Sequence, residues 1–147
     1  MAYRNLTAED LLTQLAKSAS GPLTSATGAD PALYWNENIA TVEDSNIFRK
    51  DWVCPGLAAE IPKQGDYLTF SIAGEPIFCI GNKSGDIKTY SNVCLHRMMQ
   101  LLDGTGTTSK VVYPYHAWTY DLNGELMGAG HMEKSTIFYR RKICLLK

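Results

Sequence analysis

The chain has no long apolar run, no block of like charges, no internal repeat and no low-complexity segment. Met1 to Ser20 holds no apolar stretch long enough for a signal peptide, and no later run approaches the roughly 20 residues of a membrane span. A cytoplasmic protein without a membrane partner is therefore expected. Lys and Arg number 14 against 15 Asp and Glu, a net charge of −1 without a basic stripe. Such a balance gives no electrostatic footprint for nucleic acid. The four cysteines, at 54, 79, 94 and 144, lack the close regular spacing of a disulfide framework. Without an export signal they are expected to stay reduced or to ligate metal. Gly104 to Thr108 is glycine-rich, but no helix pattern follows it, so it reads as a turn rather than a phosphate loop.

At 147 residues the chain can bury one sizeable core, with room for an appendage. Its pattern divides it into a helical leader, 1–50, and a β domain, 51–147. Thr7 can cap a helix whose first turn carries Glu9 and Asp10. Leu11, Leu12, Leu15 and Ala16 then share a face until Gly21-Pro22 stops it. Residues 32–50 read as a short extended piece followed by a brief helix at 42–48. From Trp52 the period changes to two. Residues 67–72 and 76–80 form a hairpin about Ala73-Gly74-Glu75, Ser84-Gly85-Asp86 turns into a strand at 87–91, and Leu122-Asn123-Gly124-Glu125 marks a two-residue hairpin. The fold class expected is mainly β: a small antiparallel domain with a short helical leader.

Two motifs stand out within that domain, Cys94-Leu95-His96 and Tyr113-Pro114-Tyr115-His116, separated by sixteen residues. Both fall at strand–loop junctions, so two neighbouring loops could clamp a metal group between them. C-x-H with a second x-x-H loop is nearly the pattern of a Rieske centre, where two cysteines hold one iron of a [2Fe–2S] cluster and two histidines the other. Neutral imidazoles leave the outer iron less anionic and raise its potential. Tyr113 stands where the second thiolate belongs. Against this stand the plainer readings. His116 in an aromatic strand can be a satisfied buried histidine, and Arg97 a solvated charge. Cys54 and Cys79, in strand-like apolar runs, are small core residues. Tyr67, Tyr90, Trp118 and Tyr120 are core packing. His131 and Met132 fall in a loop without an assigned role.

The flanking residues carry a family resemblance. Val93-Cys94-Leu95-His96-Arg97, Leu101-Leu102 and Val112-Tyr113-Pro114-Tyr115-His116-Ala117-Trp118-Thr119-Tyr120-Asp121-Leu122-Asn123-Gly124 resemble the Rieske domain of ring-hydroxylating-type oxygenase α subunits. That family usually shows CxHRG…L and CPYHGWxYxxxG. The resemblance covers about residues 30–147 and implies a two-sheet antiparallel, iron–sulfur-protein-like fold. It implies a [2Fe–2S] cluster on Cys94, His96 and His116, with Tyr113 at the missing cysteine. By the same resemblance, a reductase or ferredoxin donates the electrons. They would pass to a mononuclear non-haem iron in a second domain, within a ring-shaped homo-oligomer that is trimeric in full-length relatives. This chain stops at Lys147, where that catalytic domain would begin, so it is expected to be a truncated form that does not oxidise a substrate alone.

Related classes fit less well. Cytochrome-complex Rieske proteins carry an extra disulfide where this chain has Met99 and Tyr115, and Rieske ferredoxins begin closer to the first strand. Two readings stay open: an electron-transfer domain, or a cluster-free Rieske-fold protein with a structural or interaction role, including a non-functional fragment.

Overall fold

The computed structural model describes residues 6–130 and Ile143. His131, Met132 and Cys144 lie outside the described residues. The chain forms two compact units, one ending at Val53 and the other beginning at Cys54.

In the first unit, α1 spans Ala8–Ala19 and is closed at its start by a reciprocal cap. The Thr7 hydroxyl accepts from the Asp10 amide at 3.2 Å, and the Thr7 amide donates to Asp10 Oδ2 at 3.1 Å. These bonds satisfy two of the amides that a helix start leaves without partners. Leu11 is fully buried with Ala32 and Ile39, while Leu12 and Leu15 on the same face stay partly exposed. The extended piece expected at residue 32 is instead a tight helical turn, Pro31–Tyr34, started by the Asp30 carboxylate accepting from Ala32 N. A proline at the first helical position favours that outcome. The helix expected at 42–48 begins earlier, as α2 Glu37–Glu43 capped by Asn36, and continues through a wider turn at Asp44–Phe48.

The second unit is mainly β, with two antiparallel sheets. Strands β1 (Asp66–Ile72), β2 (Glu75–Gly81), β3 (Ile87–Ser91) and β4 (Thr105–Thr107) form one sheet in the order β3-β2-β1-β4. Strands β5 (Val111–Val112), β6 (Thr119–Tyr120) and β7 (Leu126–Gly128) form the other in sequence order. Ala73 and Gly74, both with positive φ, make the tight β1–β2 turn whose twist suits a hairpin. The turn read at Gly104–Thr108 is in fact an edge strand: only Gly104 turns, and β4 pairs Asp66–Leu68 with Thr107–Thr105. The hairpin at Asn123-Gly124 is longer than two residues. Asp121 organises it, its carboxylate accepting from Asn123 N and Glu125 N while its own amide donates to Glu125 O.

Strand β2 is buried on both faces, which fixes its position at the middle of the domain. Phe78 and Ile80 join the main core with Tyr90, Leu101, Val111, Trp118, Tyr120, Leu122 and Leu126. Cys79 points the other way, against its cross-strand neighbour Leu68 and Ile61. Its thiol lies 3.1 Å from Thr89 Oγ1, and burial pushes it up from its ordinary pKa. Cys54, by contrast, is exposed and outside any strand. The expectation that it fills a core position is thus corrected: the β pattern starts only at Asp66.

Gly124 has φ +78, and a Cβ added there would lie 2.7 Å from Cε1 of the buried Tyr90. Gly124→Ala is expected to lower stability by about 2–3 kcal/mol through combined backbone strain and overpacking. A urea denaturation midpoint unchanged from the parent would refute this. Burial, with Asp121 and Glu125 nearby, also pushes the Tyr90 phenol up to about 12. The folded chain thus holds this proton more tightly than the unfolded chain. The resulting stability is intact below the ordinary phenol pKa of about 10 and is lost as pH rises toward about 12. Tyr90→Phe should flatten that part of the alkaline stability curve, as followed by urea melts at stepped pH.

Candidate metal centre

Two loops of the second unit carry the four motif residues, and both are closed by the same pair of main-chain bonds. In the first, after β3, the Cys94 amide donates to Met99 O at 2.9 Å and Cys94 O accepts from Met98 N at 3.0 Å. In the second, between β5 and β6, the Tyr113 amide donates to Trp118 O at 2.8 Å and Tyr113 O accepts from Ala117 N at 3.0 Å. Each chain reverses through a left-handed residue four positions on, Met98 at φ +59 and Ala117 at φ +56. Cys94 and Tyr113 are therefore equivalent positions of two matching loops. Both are buried, at 0% and 1% exposure, in the main core.

Further bonds brace the first loop. Asn92 is buried with its polar groups all engaged: its amide donates to Pro76 O, its side-chain oxygen accepts from Leu101 N and Leu102 N, and its side-chain nitrogen donates to Leu102 O. Asn92 thus ties the loop to β2 and to the chain leaving it at Leu101 and Leu102. Sequence reading gave it no role, although its place two residues before Cys94 was a usable signal.

The loops bring His96, His116 and Tyr113 together. The imidazole centroids are 4.6 Å apart, and the Tyr113 ring lies 6.0 Å from His96 and 5.6 Å from His116. Trp118 stacks flat on His96, with centroids 4.8 Å apart and planes 6° from parallel. It therefore does more than fill the core, the role its alternation suggested. His96 Nδ1 is buried without a hydrogen-bond partner among the described residues. A buried ring nitrogen without a partner is costly, and a bond from it to a metal ion would remove that cost. Cys94 Sγ sits 3.5 Å from the Tyr120 hydroxyl. Tyr115 is exposed, its ring edge 4.0 Å from His116 by centroid. Arg97, at the mouth of the first loop, is exposed.

These donors test poorly against a [2Fe–2S] cluster, whose sulfur-ligated iron needs two thiolates. Cys94 supplies one. Among the described residues Cys79 is committed to the far side of β2 and Cys54 is exposed, so neither adds the second. Tyr113 puts a phenol there, a harder donor on a larger side chain. No group of three or more His, Cys, Asp or Glu among the described residues is arranged to hold a metal ion. The residues present do not fit the four-ligand cluster.

Comparison with known proteins finds relatives for the stretch that carries these loops. A family model described as the Rieske [2Fe-2S] domain matches residues 51–139. The chain is 37% identical over 98 residues to the glycine betaine monooxygenase oxygenase subunit of Pseudomonas aeruginosa, covering 66% of this chain and 23% of that protein. It is 36% identical over 106 residues to the carnitine monooxygenase oxygenase subunit of Escherichia coli, covering 71% and 28%. Among solved structures, an apo quaternary ammonium Rieske monooxygenase superposes with a TM-score of 0.72 at 32% identity, over 79% of this chain and 35% of that one. Naphthalene 1,2-dioxygenase from Rhodococcus sp. gives 0.75 at 28%, over 96% and 32%. The chain spans about a quarter of the length of the curated relatives it matches. No helix among the described residues is long and apolar enough to cross a membrane.

Met98 and Ala117 occupy places where the CxHRG and CPYHGW patterns have glycine, and both adopt the conformation glycine tolerates best. A left-handed side-chain residue costs about 1–2 kcal/mol, against about 0.4–1 kcal/mol for the extra freedom of glycine in the unfolded chain. Met98→Gly and Ala117→Gly should each raise stability by about 0.5–1 kcal/mol, since both residues are exposed. Thermal melts of the two variants measure this; a lower melting temperature in both would refute it.

Proposed function

The chain belongs to the Rieske [2Fe-2S] domain family, and we propose that it is the electron-relay domain of a Rieske non-haem iron oxygenase whose ligand set is interrupted at Tyr113. The observation that carries this reading is the matched construction of the two loops, which puts Tyr113 in the position equivalent to Cys94. Cys94, His96 and His116 stand at the three ligand positions of the family pattern that are retained. When bound, a [2Fe–2S] cluster supplies a one-electron acceptor and donor.

The rest of the site keeps its preparation for that role. Trp118 fixes the plane of His96 by stacking, so the imidazole need not be ordered when a ligand arrives. Asn92 braces the first loop, and the paired main-chain bonds close both loops in the same way. Tyr115, Met98 and Met99 form an exposed apolar rim beside the histidines. Such a rim suits a transient protein partner, here a reductase or ferredoxin donor.

The whole protein is proposed to add a mononuclear iron domain and to work as a homo-oligomer. Its substrate class follows the curated relatives, which are named for glycine betaine and carnitine. A quaternary ammonium substrate is accordingly favoured over an aromatic ring. A cytoplasmic location fits the reduced state that Cys94 requires.

Tyr113→Cys tests the reading. Both versions are reconstituted anaerobically with iron and sulfide, then compared by iron and acid-labile sulfide content, visible absorption and paramagnetic resonance. The variant is expected to take up close to one cluster per chain and show a Rieske signature, and the parent to stay well below that. Equal cluster content in the two would refute an interruption at Tyr113.

A further inference from the structure

Removing one thiolate does not leave the site without donors. Two imidazoles and one phenol remain grouped, with ring centroids 4.6, 5.6 and 6.0 Å apart. We propose that His96, His116 and Tyr113 form a binding site for a single transition-metal ion, distinct from the two-iron cluster of the family. This rests on the reading that Tyr113 breaks the cluster site.

The spacing is that of ligands sharing one ion. Metal–nitrogen bonds of roughly 2.0–2.1 Å place two imidazole centroids roughly 5 Å apart on one ion. The observed separation is 4.6 Å. A phenol binds through an oxygen outside its ring, so its centroid stands farther off, as the 5.6 and 6.0 Å separations do. Cys94 Sγ lies 3.5 Å from the Tyr120 hydroxyl and is not counted in this set. The buried Nδ1 of His96 has no hydrogen-bond partner among the described residues, and a metal bond would end that deficit. Stacking on Trp118 already holds that imidazole in one plane.

The donor set also selects the ion. Imidazole suits iron, copper and zinc, and a hard phenolate oxygen shifts the preference toward ferric iron. Binding involves no redox change. The phenol O–H bond breaks, its proton goes to solvent, and the oxygen lone pair forms the bond to the ion. The two imidazoles bind as neutral donors. Three protein ligands leave further coordination positions for water.

The experiment uses the chelator-stripped chain and ferric ion delivered as its citrate complex, without sulfide. Equilibrium dialysis counts bound iron, and visible absorption watches for the phenolate-to-iron charge-transfer band. The expected result is one ion per chain with that band present. Tyr113→Phe, which removes only the hydroxyl, should lose the band while melting like the parent. His96→Asn should weaken binding at least tenfold, equivalent to about 1.4 kcal/mol.

Iron uptake no greater than for Tyr113→Phe, or a band that survives in Tyr113→Phe, would overturn the proposal. The two readings fail differently. A parent chain that assembles a full cluster defeats the interruption at Tyr113. A parent that takes neither cluster nor ferric ion, while Tyr113→Cys takes the cluster, defeats only the single-ion site.

Discussion

The constraint on which the rest of the second unit depends is the closure of each loop by two main-chain hydrogen bonds around a left-handed residue. Those bonds set where residues 94 and 113 point, and therefore which side chains face one another. Such main-chain bonds contribute only about 1 kcal/mol each, but leaving the groups unpaired costs more. The loops thus have one satisfied conformation. Asn92 extends the same logic in the first loop, where it engages β2 and the chain at Leu101 and Leu102 through polar groups. The second loop leans on Trp118, which belongs to the core and to the site at once.

Much of this architecture was legible because it rests on local chemistry. The Thr7 cap, the Ala73-Gly74 turn, the Gly85 turn and the alternation of β1 and β2 are each dictated by neighbours in sequence. Part of what escaped reading depends on partners far along the chain. Thr105–Thr107 has two threonines and a glycine, which read as a turn until Asp66–Leu68 is there to pair with them. Pro31–Tyr34 was missed although its signals are local, Asp30 as cap and Pro31 at the first helical position. In the Asn123-Gly124 hairpin the turn was evident but its length was not, since Asp121 captures two amides and enlarges it. At the site, the motif residues were legible and their mutual contacts were not. The face-to-face packing of Trp118 on His96 needs both loops folded.

Tyr113 shows how unevenly a substitution can act on fold and chemistry. The phenol ring is buried with Val111, Trp118, Tyr120 and Leu126 in one core. Large buried aromatic rings contribute substantially to packing. At a position where a small thiol would project toward metal, the larger ring can therefore add apolar contact while it removes a soft donor. The folded state need not weaken when the ligand set does.

The matched closure of the loops has an evolutionary consequence. Its bonds join main-chain atoms, which every residue except proline supplies in full, so a change of side chain at 94 or 113 leaves the scaffold's own bonding intact. Ligand identity and foldability are in this sense separately inherited. A lineage that lost the cluster would keep these main-chain bonds, and with them the loop framework. Only selection on the chemistry itself guards the donor atoms; once it relaxes, the domain can persist and its pocket drift toward other ligands.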